Sequence, residues 1–472
     1  MGVLSLSSLP LTELVGLLSS RQVSATEVME SSLEVIARRN PELNALVTLT
    51  AERALERARD MDRAGGPDGP LGGVPSADKD LVHRAGVPTG FGSRLQKHFA
   101  VPTVSDPMAL WLDDSGAISV GKTAVCEWGL TSSSESLAHG ATVTPYHRGH
   151  SAGGSSGGAA AAVASGMLAF APGSDGGGSL RIPAWHCGVV ALKPSRGRVP
   201  AGPGVDGVAG LTVPGIIARS VADVALATDA LCRGEWNWST GAPPWRSTLC
   251  EQLDRDLSGL RIGFTTTHPW PDQVGVALHP SAEGALHRAL ALLQPEGADV
   301  AAWEWSPAPG YFEAFLTLWS SSTVTLPLRD EWLDELEPLT RSLVERGRRL
   351  SAAELVSAVA WLRRFEHDTI SSLREFDVVA TPGLALPPPP VGFYDAEDAT
   401  ENFLQQVRVT PYTSFVNVSG LPALALPMGV DDNGLPLGVQ LIAGPGREDV
   451  LVAVARRLEQ VRGAMPLPAN FG

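Results

Sequence analysis

Cysteine is scarce in this sequence. Its four cysteines, Cys126, Cys187, Cys232 and Cys250, stand too far apart for a disulfide framework or a Cys-x-x-Cys metal site, and a reducing cytoplasm is the simplest home. Positive charge is also short. With 36 basic against 51 acidic residues the net charge is −15, a field that repels phosphate backbones and anionic headgroups, so nucleic acid and membranes are set aside as partners. Lysine is scarcer still: only Lys79, Lys97, Lys122 and Lys193 occur, and each asks for its own explanation. No apolar run reaches the ~20 residues of a membrane span. The small-apolar run 159–171 is interrupted by Ser165 and Gly166 and reads as a buried helix running into a strand. At the amino terminus, Met1 to Ser5 has no cationic stretch and Leu6 stands where a myristoylation motif needs Ser or Thr, so neither export nor acylation is indicated.

What is present describes a large folded protein. The 472 residues suit about three domains of ~150 residues or one larger α/β unit. Apolar (44%) and charged (18%) fractions near the globular average exclude disorder and fibrous repeats. Residues 1–65 read as helical: Leu11, Leu14, Val15 and Leu18 fall on one face, Ser24-Ala25-Thr26-Glu27 matches a capping box, and a third helix covers 51–61. In 66–230, short apolar segments (117–120, 167–171, 188–192) alternate with Ala-rich helices and glycine-dense turns, the pattern of an α/β sheet covered on both faces.

The stretch 231–375 changes texture. A strand is predicted at 261–265, a helix from Pro280 and long helices over 311–374, and nine of the twelve tryptophans lie here: Trp236, Trp238, Trp245, Trp270, Trp303, Trp305, Trp319, Trp332 and Trp361. Most suit helix packing, and some suit the wall of an apolar pocket. Residues 376–472 return to the α/β core, with strands at 421–427 and 437–443 joined around Asn433-Gly434 and a closing helix over 448–461.

Two serines sit in glycine-dense turns, Ser155 in Ser151-Ala152-Gly153-Gly154-Ser155-Ser156-Gly157-Gly158 and Ser179 in Ser174-Asp175-Gly176-Gly177-Gly178-Ser179. Glycine permits positive φ and close approach, and successive amides can point at a developing negative charge, so the segments suit a nucleophile and its oxyanion hole. A linker is a poorer reading, since a buried-looking helix follows directly. A phosphate cradle lacks the Gly-Lys-[Ser/Thr] that should follow the glycines. Gly153–Gly157 also fits Gly-x-Ser-x-Gly, the nucleophile elbow of α/β-hydrolases, which would make Ser155 the nucleophile of an esterase. That reading needs a late histidine, and the last one, His367, lies in a predicted helix. The other histidines are scattered, and His147-Arg148-Gly149-His150 lacks further metal-ligand partners.

Taken together, Gly73-Val74-Pro75 through Lys79-Asp80, Gly121-Lys122-Thr123, Gly153–Gly158, Asp175 through Ser179-Leu180-Arg181-Ile182-Pro183, and Lys193-Pro194 resemble the amidase signature family of serine hydrolases, closely over residues 70–230. Gly420-Leu421-Pro422 and Gly434 through Gln440 are similar to its carboxy-terminal sheet segment; 230–410 show little likeness. The resemblance implies the family's fold, a large mixed β-sheet core covered by helices on both faces, with Ser179 as nucleophile. It makes Ser155, after a cis peptide at Gly154, the bridging serine and Lys79 the general base. The amides around Gly176, Gly177, Gly178 and Ser179 would hold the oxyanion; Ser156, Asp175 and Arg181 would brace the loop. Gly129 and Thr131 would contact substrate, and neither metal nor cofactor is implied. A lysine is neutral in only about one molecule in a thousand near pH 7.4, so burial must lower its pKa by roughly two to three pH units.

Departures touch the pocket: Ala124 follows Gly-Lys-Thr, Thr144-Pro145 replaces the family's Asn-Pro, and Trp185-His186 replace small residues. Ser174-Asp175-Gly176 in place of the commoner Thr-Asp-Thr is similar to the branch of nylon-oligomer, aryl-amide and urethane hydrolases. With the tryptophans it points to a secondary amide, anilide or carbamate with an apolar or aromatic side, cleaved by a monomer or homodimer. An amidotransferase subunit of a tRNA-modifying complex is the rival within the family, but its Arg-Tyr-Asp-Gly segment is not seen at 310–330, where Leu318-Trp319-Ser320-Ser321-Ser322 stand.

Overall fold

A mixed eight-stranded sheet organises the chain, for which the computed structural model describes residues 5–199, 208–232, 247–466 and 468. Its strands run in the order Asp299–Ala302, Arg261–Phe264, Val378–Pro382, Pro436–Ala443, Ala423–Val430, Val190–Lys193, Val213–Ala218 and Phe170–Asp175. The first three are mutually parallel and every later neighbour is antiparallel. Side chains alternate across a strand. Accordingly Val378, Ala380, Leu424 and Leu441 enter one apolar core while Val379, Ala423 and Ile442 enter another. The first core is closed by helices Val221–Leu231, Pro280–Leu293 and Glu448–Arg462, the second by Tyr311–Ser322, Ala352–Ser372 and Ser414–Val418. The sheet is therefore buried on both faces.

Local signals account for many boundaries. Ser24 and Glu27 form the expected capping box of Ala25–Leu43, and Ser351 and Glu354 form another at the start of Ala352–Ser372. The Asn433-Gly434 turn joins the two long strands with Gly434 at φ +76°, and the Asp431 carboxylate accepts from the amides of Asn433 and Leu435. The stretch 231–375 is more than helical, since Arg261–Phe264 and Asp299–Ala302 form one edge of the sheet. The second of these holds four residues, two of them exposed or charged at its ends, so its strand state comes from pairing rather than from its own pattern. Trp236, Trp238 and Trp245 lie outside the described residues. No helix among the described residues is long and apolar enough to cross a membrane.

A smaller sheet of Leu46–Leu49, Ile118–Thr123 and Pro75–Lys79 carries the Gly-Lys-Thr motif in its central strand and Lys79 at the end of its third. Helix Gly157–Ala164 joins this sheet to the large one, because its glycines let backbone meet backbone. A Cβ on Gly158 would stand 2.2 Å from the Ala124 amide nitrogen and 2.4 Å from the Ala45 carbonyl oxygen, and one on Gly154 2.6 Å from the Ser133 carbonyl. Gly158→Ala should thus lower stability by about 1–3 kcal/mol through overpacking. Gly284→Ala, in the middle of Pro280–Leu293 where only the end of Arg288 is near, should raise it by about 0.4–1 kcal/mol. Urea midpoints of the two variants, moving in opposite directions, check this.

Candidate active site

Three turns meet at one end of the sheets. Lys79 ends the strand Pro75–Lys79, Ser155 precedes helix Gly157–Ala164, and Ser179 lies between strand Phe170–Asp175 and helix Arg181–Cys187. Lys79, Ser155 and Ser179 are all buried, at 1%, 2% and 8% exposure, so the polar groups here work largely away from water. The Gly154–Ser155 peptide is cis. The Ser156 amide donates to the Ser179 carbonyl at 3.1 Å, which ties the two serine turns together, and the Ser156 hydroxyl points to the Ser174 carbonyl at 3.3 Å.

Lys79 Nζ donates to Ser155 Oγ at 2.8 Å and reaches both the carbonyl and the hydroxyl oxygen of Ser174 at 3.1 Å. Burial pushes the amine down to about 8, against the pull of Cys126 and Asp175. Ser174 was visible in the sequence only as part of a motif. Its contact with Lys79 depends on a strand that pairs far along the chain, with Val213–Ala218.

Asp175 and Arg181 are fully buried and brace the Ser179 turn from beneath. The Asp175 carboxylate accepts from the Gly178 amide at 2.7 Å and from the Leu180 amide at 3.1 Å. Arg181 holds both its oxygens at 2.8 and 2.9 Å and reaches on to Asn417 Oδ1, Gln440 Oε1 and the Thr413 carbonyl. Burial alone would raise the Asp175 pKa; the Arg181 guanidinium overrides it and holds the carboxyl well below the usual carboxylate range. Asn417, Gln440 and Thr413 come from the last sixty residues of the chain, and no motif around the serines announces them. Because the Gly178 amide is spent on Asp175, it is not an open donor. Gly176, Gly177 and Ser179 carry no such bond among the described residues.

Ser179 and Gly177 open onto a cleft walled by Ile182, Trp270, Phe315, Trp319, Phe403 and Val407, with Ser132, Gln406, Thr410, Thr413 and Ser414 as its polar points. Gly129 and Thr131 line it too, and a Cβ on Gly129, whose φ is +72°, would come within 3.4 Å of Ser155 Oγ. Gln406 crosses from its helix to accept the Ser132 amide at 2.8 Å. Trp185 does not face the cleft: its ring lies over Gly383 and Gly438, and its Nε1 donates to the Val439 carbonyl at 3.1 Å. His186, also fully buried, bonds the Ser151 carbonyl through Nδ1 at 2.9 Å.

The fold is α/β, and comparison with known sequences makes the chain a hydrolase acting on amides. The chain belongs to the amidase signature family, whose sequence model, described as Amidase, matches residues 27–452. That span runs through 230–410, where the motifs had shown little likeness. The chain is 35% identical over 461 residues to AmiA2 of Mycobacterium tuberculosis, covering 96% of this chain and 93% of that one. It is 31% identical over 479 residues to the 6-aminohexanoate-cyclic-dimer hydrolase of Paenarthrobacter ureafaciens, covering 96% and 94%. A solved 6-aminohexanoate cyclic dimer hydrolase superposes with a TM-score of 0.88 at 29% identity over 97% of this chain and 98% of the other. A bacterial aryl acylamidase superposes at 0.85 with 25% identity over 96% of each.

Arg181→Met should remove about 3–5 kcal/mol of stability at pH 7, because Asp175 is left buried without its cation. The Asp175 carboxyl, depressed in the wild type, contributes stability above its unfolded pKa that is lost as pH falls through the folded value; in the variant it titrates upward instead. The gap in urea midpoint between the two proteins should therefore narrow from pH 7 towards pH 4.

Proposed function

We propose that Ser179 is the nucleophile, Ser155 the proton relay and Lys79 the general base of an acyl-enzyme amidase. The observation that carries this reading is a buried amine, held at about 8, hydrogen-bonded to Ser155 beside a cleft that Ser179 enters. At pH 7 roughly one such amine in ten is neutral, against about one in 2,500 for an exposed lysine. A neutral amine has two hydrogens and a lone pair. The Ser174 carbonyl and hydroxyl take the hydrogens, and the lone pair is left to accept from Ser155.

In the reaction, Ser179 passes its proton to Ser155 as Ser155 passes its own to Lys79, and the Ser179 oxygen bonds to the substrate carbonyl carbon. Amides of Gly176, Gly177 and Ser179 hold the oxyanion. Collapse breaks the C–N bond, and the proton on Lys79 returns through Ser155 to the leaving nitrogen. Water repeats the sequence on the ester and frees the acid.

The nucleophile-elbow alternative has less support, since Ser155 has a lysine and not a histidine as its partner, and His186 gives Nδ1 to Ser151. An aromatic cleft together with the similarity to a 6-aminohexanoate-cyclic-dimer hydrolase and an aryl acylamidase favours a secondary amide or anilide with an apolar group; a carbamate is the further candidate. The purified chain working alone would separate this reading from that of an amidotransferase subunit.

Ser179→Ala and Lys79→Ala should each lower kcat/KM for an anilide by at least about a thousandfold, and Lys79→Arg nearly as much, because a guanidinium keeps its proton. For the wild type, kcat/KM should rise with pH and level off above an apparent pKa near 8. An inflection near 4, where burial holds His186, would favour the histidine alternative. Release from an anilide, an aryl carbamate, a primary amide and an ester at equal concentration ranks the substrate classes.

A further inference from the structure

The cleft that holds Ser179 has a free volume of about 60 Å³, far below the ~300–1,000 Å³ of ordinary ligand pockets. A second, wider hollow of about 600 Å³ is lined by residues 267–273 and 305–310 with Phe312 and Glu313. Among the described residues, Trp270 alone lines both. The indole is held firmly. It is 5% exposed, its Nε1 donates to the Pro411 carbonyl at 3.1 Å, and Pro269 and Pro271 flank it in the chain. Rings of Tyr311, Phe312, Phe315 and Phe403 meet it edge-on at 5.0 to 6.5 Å.

We infer that Trp270 is a specificity-determining residue that ends the acyl side of the cleft and so sets the longest acyl group the enzyme accepts. This rests on the proposed roles of Ser155 and Ser179. The leaving nitrogen takes its proton from Ser155, so the leaving group lies on the side of Ser155 and Gly129, whose Cβ position is 3.4 Å from Ser155 Oγ. The acyl group then runs past Gly177, whose Cβ position lies 3.8 Å from the Phe315 ring and 4.0 Å from the Trp319 ring, and Phe315 in turn meets Trp270 at 5.6 Å. Removing the indole joins the small cleft to the wider hollow, and a chain that now stops at the ring can pass through.

The test uses 4-nitroanilides of acetic, butyric, hexanoic and octanoic acids, and the acetamides of butylamine and octylamine, with wild type, Trp270→Ala and the milder Trp270→Leu. Melting temperatures report folding. The wild type should favour the short acyl chains, and the ratio of kcat/KM for octanoyl over acetyl anilide should rise at least tenfold in Trp270→Ala and by less in Trp270→Leu. The ratio between the two N-alkyl acetamides should stay level. A purely structural tryptophan would lower all rates together, and an unchanged acyl ratio in both variants overturns the inference. A change confined to the N-alkyl series overturns the assignment of the acyl side. If the wild type cleaves none of these amides while folded, the catalytic reading itself falls, and the role of Trp270 falls with it.

Discussion

Removing an amine from water disfavours its charged form, and the interior around Lys79 is built on that cost. The strand Pro75–Lys79 delivers the side chain to a place where water is nearly absent, and three oxygens from two serines face its nitrogen. Two of the other three lysines are sealed in as well. Lys122 bonds the Val82 carbonyl, and Lys193, brought down to about 7 by burial and by Arg181, bonds the Pro194 carbonyl at 2.9 Å. Only Lys97 is exposed, where it pairs with Glu335. In a chain whose other basic side chains are mostly arginines, three of the four lysines are buried, where the compact ammonium fits.

Such an arrangement needs a rigid frame. Asp175 and Arg181 supply it by fixing the turn on both sides of Ser179, and Arg181 extends the connection to Asn417 and Gln440 in the carboxy-terminal part of the chain. A buried ion pair of this kind adds little net stability over a well-packed apolar pair, but losing one partner is costly. Its value lies in position: the same carboxylate that holds Arg181 also takes the Gly178 amide and so fixes the backbone beside Ser179.

The serine turns were legible from their glycine spacing and the rarity of lysine from composition, whereas the brace at Asp175 and Arg181 was implied only by the resemblance to the amidase signature family. The long hairpin around Asn433-Gly434 and the helix from Pro280 were legible from turn and cap chemistry. Ser174 as a partner of Lys79, Gln406 and Thr413 at the cleft, and the edge strand Asp299–Ala302 were not. Each is defined by a contact with a residue tens or hundreds of positions away, and none has a local pattern that marks it. The glycine density of 153–158 suits a ligand site by composition; at Gly154 and Gly158 it serves close backbone packing, which the same composition encodes equally well.

The sequence by itself determined the chemistry on offer: an acidic chain with two serines in glycine turns and a lysine near neither of them along the chain. Which of those groups meet was decided by tertiary structure. Hydrogen bonding and desolvation act over a few ångströms, and only strand pairing across two sheets brings residues 79, 155 and 174 to within that distance of one another. The reach of the cleft was settled in the same way, by one indole packed among rings from separate helices.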